Sequence, residues 1–396
     1  MVPNGWEVAD FNKLGIKTID GDRGKNYPKK EDYLSEGHCL FLGADNITSS
    51  QLSLDRKIFI CKDKHEQLGQ GIVQFDDLLL IMRGNGTGRI CLYDNEISPY
   101  LDARINSGLI ILRLDHNAMD KSYVLQLMRS EFMTKQFESY MFGSAQPQLT
   151  VKILKSLKIP TPPLPEQQKI ANILSTWDKT ISTTEHLIDN RKQQKKALMQ
   201  QLLTGKKRFA GFKREWEEKP LNQICNIYKG KQLNKSTLEK TGKFPVINGG
   251  ITPSGFAKEA NTLANTITIS EGGNSCGYVD FIKIPFWCGG HCYSLNNINL
   301  TVDYLYHFLK FSQPLIMKLR VGSGLPNIQK KAIEHVIISF PQPEEQQKIA
   351  AVLTTSDKEI ELLEQQLSDL KQEKKALMQQ LLTGKRRVKI KEVEAA

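Results

Sequence analysis

Apolar residues recur at steps of three and four over one long stretch near the end of the chain: Ile349, Leu353, Ile360, Leu363, Leu367, Leu370, Leu377 and Leu381. That spacing puts them on one stripe of a helix, a heptad seam broken at Ser356 and Lys374. The same pattern occurs earlier at Ile170, Leu174, Trp177, Ile181, Ile188, Leu198 and Leu202, interrupted at Thr184, Arg191 and Lys195. Each stripe starts just after prolines (Pro162, Pro163 and Pro165; Pro341 and Pro343) and ends at "TGK". There Gly205 or Gly384 can adopt the left-handed conformation that caps a helix C-terminus. A helix of this length is about 55–60 Å long. Alone it would expose its stripe, or cover it only on its own domain. Two matching stripes can bury each other, so the helices are expected to pair.

The two stripes are copies. "EQQKIANILSTWDKTISTTEHLIDNRKQQKKALMQQLLTGK" from Glu166 and "EQQKIAAVLTTSDKEIELLEQQLSDLKQEKKALMQQLLTGK" from Glu345 align without a gap, with 26 of 41 positions identical. The duplication continues upstream: Phe142 to Gln168 aligns with Val321 to Gln347, matching Gly143 to Gly322 and Pro147 to Pro326. Further back, "GWEVADFNKL" at Gly5 resembles "EWEEKPLNQI" at Glu215, with Trp6 facing Trp216. Each half is therefore a variable block followed by a nearly invariant helix, and joining the C-terminus to the N-terminus would complete a cycle. The expected fold is mixed α/β: two globular blocks, 1–160 and 208–340, separated by two long antiparallel helices in 161–207 and 341–396, as a pseudo-two-fold internal repeat.

A chain of 396 residues suits two domains or slightly more. The formal net charge is +11, which favours an acidic partner such as nucleic acid but does not define a fold. No apolar run approaches the ~18 residues of a membrane span, and the N-terminus does not read as a secretory signal. Seven scattered cysteines fit reduced thiols in a cytosol better than a disulfide framework.

The words "PPLPEQQKIA" and "PQPEEQQKIA", the two "LLTGK" helix ends, the W-E openings of both blocks and the loops "GSAQPQLT" and "GSGLPNIQ" resemble the specificity subunit of Type I restriction–modification systems. The resemblance covers essentially the whole chain. It implies that each variable block is a target recognition domain for one half of a bipartite, asymmetric DNA sequence. It implies that the helices act as a spacer and a docking surface for two modification (methyltransferase) subunits, with restriction subunits joining the full complex. The chain itself would then be non-catalytic and cytoplasmic, with no membrane partner. S-adenosylmethionine, ATP and Mg would belong to partner subunits. The physical reading agrees: two similar domains can bind two major-groove segments about one turn apart, and similar helices offer identical partners equivalent platforms.

Phosphate contacts need Lys or Arg, and base edges favour Arg, Lys, Asn and Gln. In the first block the candidates are Arg23, Lys25, Asn26, Lys29 and Lys30 on one turn-rich loop, and Arg83, Asn85, Thr87 and Arg89 around a glycine turn. In the second they are Lys229, Lys231, Gln232, Asn234 and Lys235, with Asn274, Ser275 and Tyr278 at the matching glycine turn. The two "GS" loops add Gln146, Gln148 and Asn327.

Other chemistry finds little support. Gly84, Gly86 and Gly88 follow the apolar run "LLLIM", but "RICLY" after them reads as a strand, so a hairpin turn is expected and not a dinucleotide fingerprint. "WCGGHC" supplies Cys288, His291 and Cys292, with Cys276 as an extra. That lacks the two spaced couples of structural zinc, and no metal site is expected. No nucleotide-binding P-loop or adenine-methyltransferase tetrapeptide is visible, and His38, His65 and His291 show no partner pattern. Two rivals stay open: the specificity part of a related Type II system, and a coiled-coil adaptor that does not read DNA.

Overall fold

In a computed structural model the described residues are 2–48, 51–141, 148–322, 324 and 326–390. The chain divides into two compact units, 1–183 with 366–396, and 184–365.

Alternating and continuous apolar runs build the sheets of the first unit. Leu78–Ile81, buried at every position, is one of the two inner strands of an antiparallel sheet ordered Lys17–Asp20, Leu109–Arg113, Leu78–Ile81, Ile90–Leu92. The turn between Leu78–Ile81 and Ile90–Leu92 is the hairpin expected at Gly84–Gly88; all three glycines there have positive φ. A second sheet runs Phe59–Ile60, Cys39–Leu42, Ala103–Ile105, Ile72–Val73, with one parallel pairing. The short ribbon Glu7–Ala9 with Ile159–Thr161 joins the start of the block to its end.

The second unit repeats this plan. Its antiparallel sheet is ordered Asn226–Lys229, Cys292–Asn296, Thr266–Ser270, Val279–Ile282. A three-stranded sheet of Phe256–Ala257, Phe244–Ile247 and Trp287–Cys288 again contains one parallel pair. Glu217–Pro220 pairs with Ile337–Phe340, as the corresponding ribbon does in the first unit.

Two helices of 39 residues, Leu164–Leu202 and Pro343–Leu381, carry the seams. Within the first unit, Ile170 and Leu174 of one helix and Leu381 of the other lie in a single core with the block's Phe11, Tyr123 and Leu157. Within the second, Leu202, Ile349 and Leu353 share a core with Leu221, Tyr304 and Ile338. The helices thus pack on their own blocks and on each other, so the two arrangements weighed from the sequence occur together. Each wholly buried leucine, such as Leu174 or Leu353, contributes roughly 2–3 kcal/mol. Trp177, Ile181, Leu198, Leu363, Leu367, Leu370 and Leu377 are half-buried, while Ile188 and Ile360 are buried.

Two of the seam interruptions, Lys374 and Lys195, have a physical reason. Lys374 reaches Asp178 at 2.5 Å in the first unit, and Lys195 reaches Asp357 in the second, each bond joining antiparallel helix segments. The offset between Glu166 and Glu345 relates the two pairs to each other. It also relates Arg387–Glu166 to Arg208–Glu345, two-bond forks onto wholly buried carboxylates, at 2.7 and 2.7 Å in the first and 3.0 and 2.6 Å in the second. Arg208 further donates to the carbonyl of Arg214, and Arg387 to that of Asn4. The chain-continuous contact of one unit is therefore rebuilt in the other by residues near the two ends of the chain.

Candidate nucleic-acid interface

The duplicated frame identifies equivalent loop positions by their backbone bonds. Leu149 N–H donates to Met82 O, and Ile328 N–H to Glu271 O. Gly88 N–H donates to Ile81 O, and Gly277 N–H to Ser270 O. The glycine turns of the two blocks are therefore the same structural element carrying different side chains.

In the first unit, Arg83 donates to Ser107 Oγ at 2.8 Å, and its backbone bridges Gln148. The Tyr27 hydroxyl also meets Ser107, which brings the loop of Arg23, Lys25 and Asn26 to the glycine turn. Asn26 is tied to the Gln67 carbonyl at 3.3 Å, and Arg23 to Asp20 at 3.0 Å. Asn85 and Arg89 are exposed on the turn, and Thr87 spends its hydroxyl on Gly84 O. Lys29 and Lys30 stand on the next turn, where Asp32 holds Lys64. Gln146 lies outside the described residues. The loop geometry is rigid at Asp22, whose carboxylate accepts from Gly24 and Gly69 N–H; these bonds hold it below the usual carboxylate range.

In the second unit, Lys229, Lys231 and Gln232 follow one strand into a shared patch with the glycine turn. Lys231 is fixed by Trp287, whose indole N–H donates to its carbonyl at 2.8 Å. Gly290 leaves room for Gln232: a Cβ there would stand 2.6 Å from Gln232 Oε1. Asn274 is exposed, Ser275 is half-buried, and Asn327 bridges Gly272 through its backbone. Asn234 caps the short turn that carries Lys235. Tyr278 differs, because the Lys310 ammonium sits over its ring at 4.0 Å on the side of the helix Val302–Lys318.

Two residues of this patch were not legible as partners in the sequence. Glu271 is 4% exposed; its Oε1 receives the Lys229 ammonium at 2.5 Å and the Tyr293 hydroxyl at 2.9 Å. Burial pushes its carboxyl up, but the hydrogen bonds from Lys229 and Tyr293 and the Lys229 charge outweigh that and hold it below the usual range. His291, for which the sequence offered no partner, places Nδ1 3.5 Å from Glu271 Oε2. The only advance signal was an acid ending the strand run "TITIS" where the other block has Met82.

Cys276, Cys288 and Cys292 are buried, and each sulfur lies within hydrogen-bonding reach of a backbone carbonyl. Among the described residues, the group compact enough for an ion is His38, His65 and Asp102. There Arg104 Nε donates to His65 Nδ1 at 3.1 Å, setting a permanent cation against the site. Among the described residues no helix is long and apolar enough to cross a membrane.

Known proteins share this architecture. The type I restriction modification DNA specificity domain matches residues 3–191 and again 213–372. The type I restriction enzyme MjaVIII specificity subunit of Methanocaldococcus jannaschii is 26% identical over 428 residues, covering 98% of this chain and 94% of its own. The crystal structure of a Type I restriction–modification S subunit from M. genitalium superposes with a TM-score of 0.67 at 22% identity, over 96% of this chain and 98% of that one. A chain from a structure on complex assembly and conformational transition of the type I system gives 0.58 at 18% identity, over 98% and 100%. With both halves matching that domain and the duplicated fold on which it stands, the chain belongs to the family of Type I restriction–modification specificity subunits.

Proposed function

We propose that this chain reads a bipartite, asymmetric sequence of double-stranded DNA for a modification complex and performs no catalysis itself. Each block grips one half-site, and the long helices set the gap and dock two adenine-methyltransferase subunits. Restriction subunits join in the full complex. S-adenosylmethionine, ATP and Mg act in those partners, in the cytoplasm. The methyltransferase subunits flip the adenine out to reach it.

The observation that carries this reading is the contrast between frame and loops. The two units share the strand order of their four-stranded antiparallel sheets, the capping ion pairs and the helix sequence, whereas the residues on equivalent turns differ: Arg83 against Gly272, Met82 against Glu271. A constant frame with variable polar tips suits two readers of different sequences on one platform. The lysines of each patch suit phosphate, which gives affinity and salt dependence, and the amides suit base edges.

The test is an exchange of residues 208–340 for the same block of a relative with a known target. The expected result is that one half-site changes to the relative's and the other is retained. Alteration of both half-sites, or of neither, contradicts independent reading.

A further inference from the structure

We infer that His291, oriented by Glu271, reads a base in the second half-site, presenting its neutral imidazole Nε2 as an acceptor to the exocyclic amino group of adenine or cytosine. This rests on the DNA-reading function proposed above and names a specificity-determining side chain within it.

Glu271 is costly. Its Oε2 is buried without a hydrogen-bond partner, and an unused carboxylate oxygen away from water destabilises the fold. The fold does not need it. Met82 N–H donates to Gly108 O as Glu271 N–H does to His291 O, so Met82 and Gly108 are the counterparts of Glu271 and His291. An apolar side chain facing a residue without one is replaced, at both positions, by an acid facing an imidazole. A paired replacement at a buried cost marks a function of the second block.

The geometry says which function. The backbone of His291 is pinned by its N–H bond to Asn248 Oδ1 at 3.1 Å, while its side chain is 61% exposed. A carboxylate facing Nδ1 attracts the proton to that nitrogen, which in the neutral ring turns the Nε2 lone pair outward. The 3.5 Å between Nδ1 and Oε2 sets that side of the ring against the carboxylate and leaves the Nε2 side to solvent. A lone pair repels phosphate oxygens, so a neutral imidazole is unsuited to the backbone. In the major groove the donors that an acceptor can read are adenine N6 and cytosine N4. Gly272 leaves the His291 ring uncovered on its side, where a Cβ would lie 3.8 Å from Nδ1, the Gln232 side chain packs beside it against Gly290, and the Lys229 ammonium stands on the other oxygen of Glu271.

The test uses the chain assembled with its modification subunits. Methyl transfer from labelled S-adenosylmethionine is measured on duplexes carrying each base at every position of the second half-site. The variants are H291G and E271M, which install the first block's residues, and E271Q, which keeps an acceptor for Nδ1. For H291G we expect about five-fold or greater loss of discrimination at a single position where the intact complex prefers adenine or cytosine, with other positions unchanged. E271M should relax the same position, and E271Q should retain part of the preference. Uniform loss on all duplexes, an unchanged profile, or relaxation at a guanine or thymine position overturns the role of His291. If the intact complex is indifferent to second half-site bases, the DNA-reading function fails together with this inference.

Discussion

Replacing His307 with Gln should remove an acid sensitivity from the second unit. His307 is 1% exposed in the helix Val302–Lys318; its Nε2 meets Thr354 Oγ1 at 3.1 Å, and Nδ1 has no partner. Burial, reinforced by the Lys195 ammonium and opposed by Asp357, pushes its pKa down to about 4 from the ordinary 6.5. The Asp357 carboxylate 3.8 Å from Nδ1 is therefore next to a neutral ring at pH 7, not in an ion pair. Between these two values the unfolded chain binds more protons than the folded one, so stability is complete above pH 6.5 and falls as pH drops towards 4. Integrating the two titrations gives a loss of about 2 kcal/mol from pH 7 to 5, and about 3 kcal/mol by pH 4. Glutamine is the natural replacement: Gln126 occupies the matching place in the first unit and donates to Asp178 at 2.5 Å. Urea unfolding of both proteins at pH 7, 6 and 5 reads the effect as a difference in slope, independent of any constant offset. Parallel pH profiles, or a variant more acid-sensitive than the parent, would refute the reasoning.

Other comparisons between the units give further predictions. The Trp6 indole N–H donates to Glu166 at 3.0 Å, whereas that of Trp216 is buried and unpartnered; Trp6→Phe should therefore destabilise by about 1 kcal/mol more than Trp216→Phe in thermal or urea unfolding. Gly205 and Gly384 both have positive φ, but a Cβ on Gly384 would come within 2.5 Å of Pro3, while one on Gly205 finds only ordinary contact with Trp216. Gly205→Ala should cost about 1–2 kcal/mol of backbone strain and Gly384→Ala more, as read from the melting of each variant. Inserting seven residues into one long helix should change the gap between half-sites and leave the half-sites themselves intact; altered half-sites with an unchanged gap would refute the spacer role.

The parts of this fold that were legible in the sequence are those with a period. The heptad stripes and their glycine ends gave two helices, and the apolar run before Gly84 gave a strand and hairpin, because helix and strand spacing reports burial directly. The seam interruptions at Lys195 and Lys374 were visible as positions but not as partners of Asp357 and Asp178. Their meaning depends on which helix turn lies opposite, which one stripe cannot specify. The candidate site was legible only as clusters of polar loop residues. The loops meet through long-range contacts such as Tyr27 with Ser107 and Gly290 with Gln232, which no local pattern encodes. Glu271 and His291, distant in sequence and joined by strand order, were the clearest omission.

The most direct test of the central claim is single-molecule methylome sequencing of a host lacking other methylases, expressing this chain with its modification subunit. The account predicts a single bipartite motif, adenine-methylated on both strands, that disappears when this chain is deleted. Absence of methylation, or a continuous motif unaffected by the deletion, would contradict it.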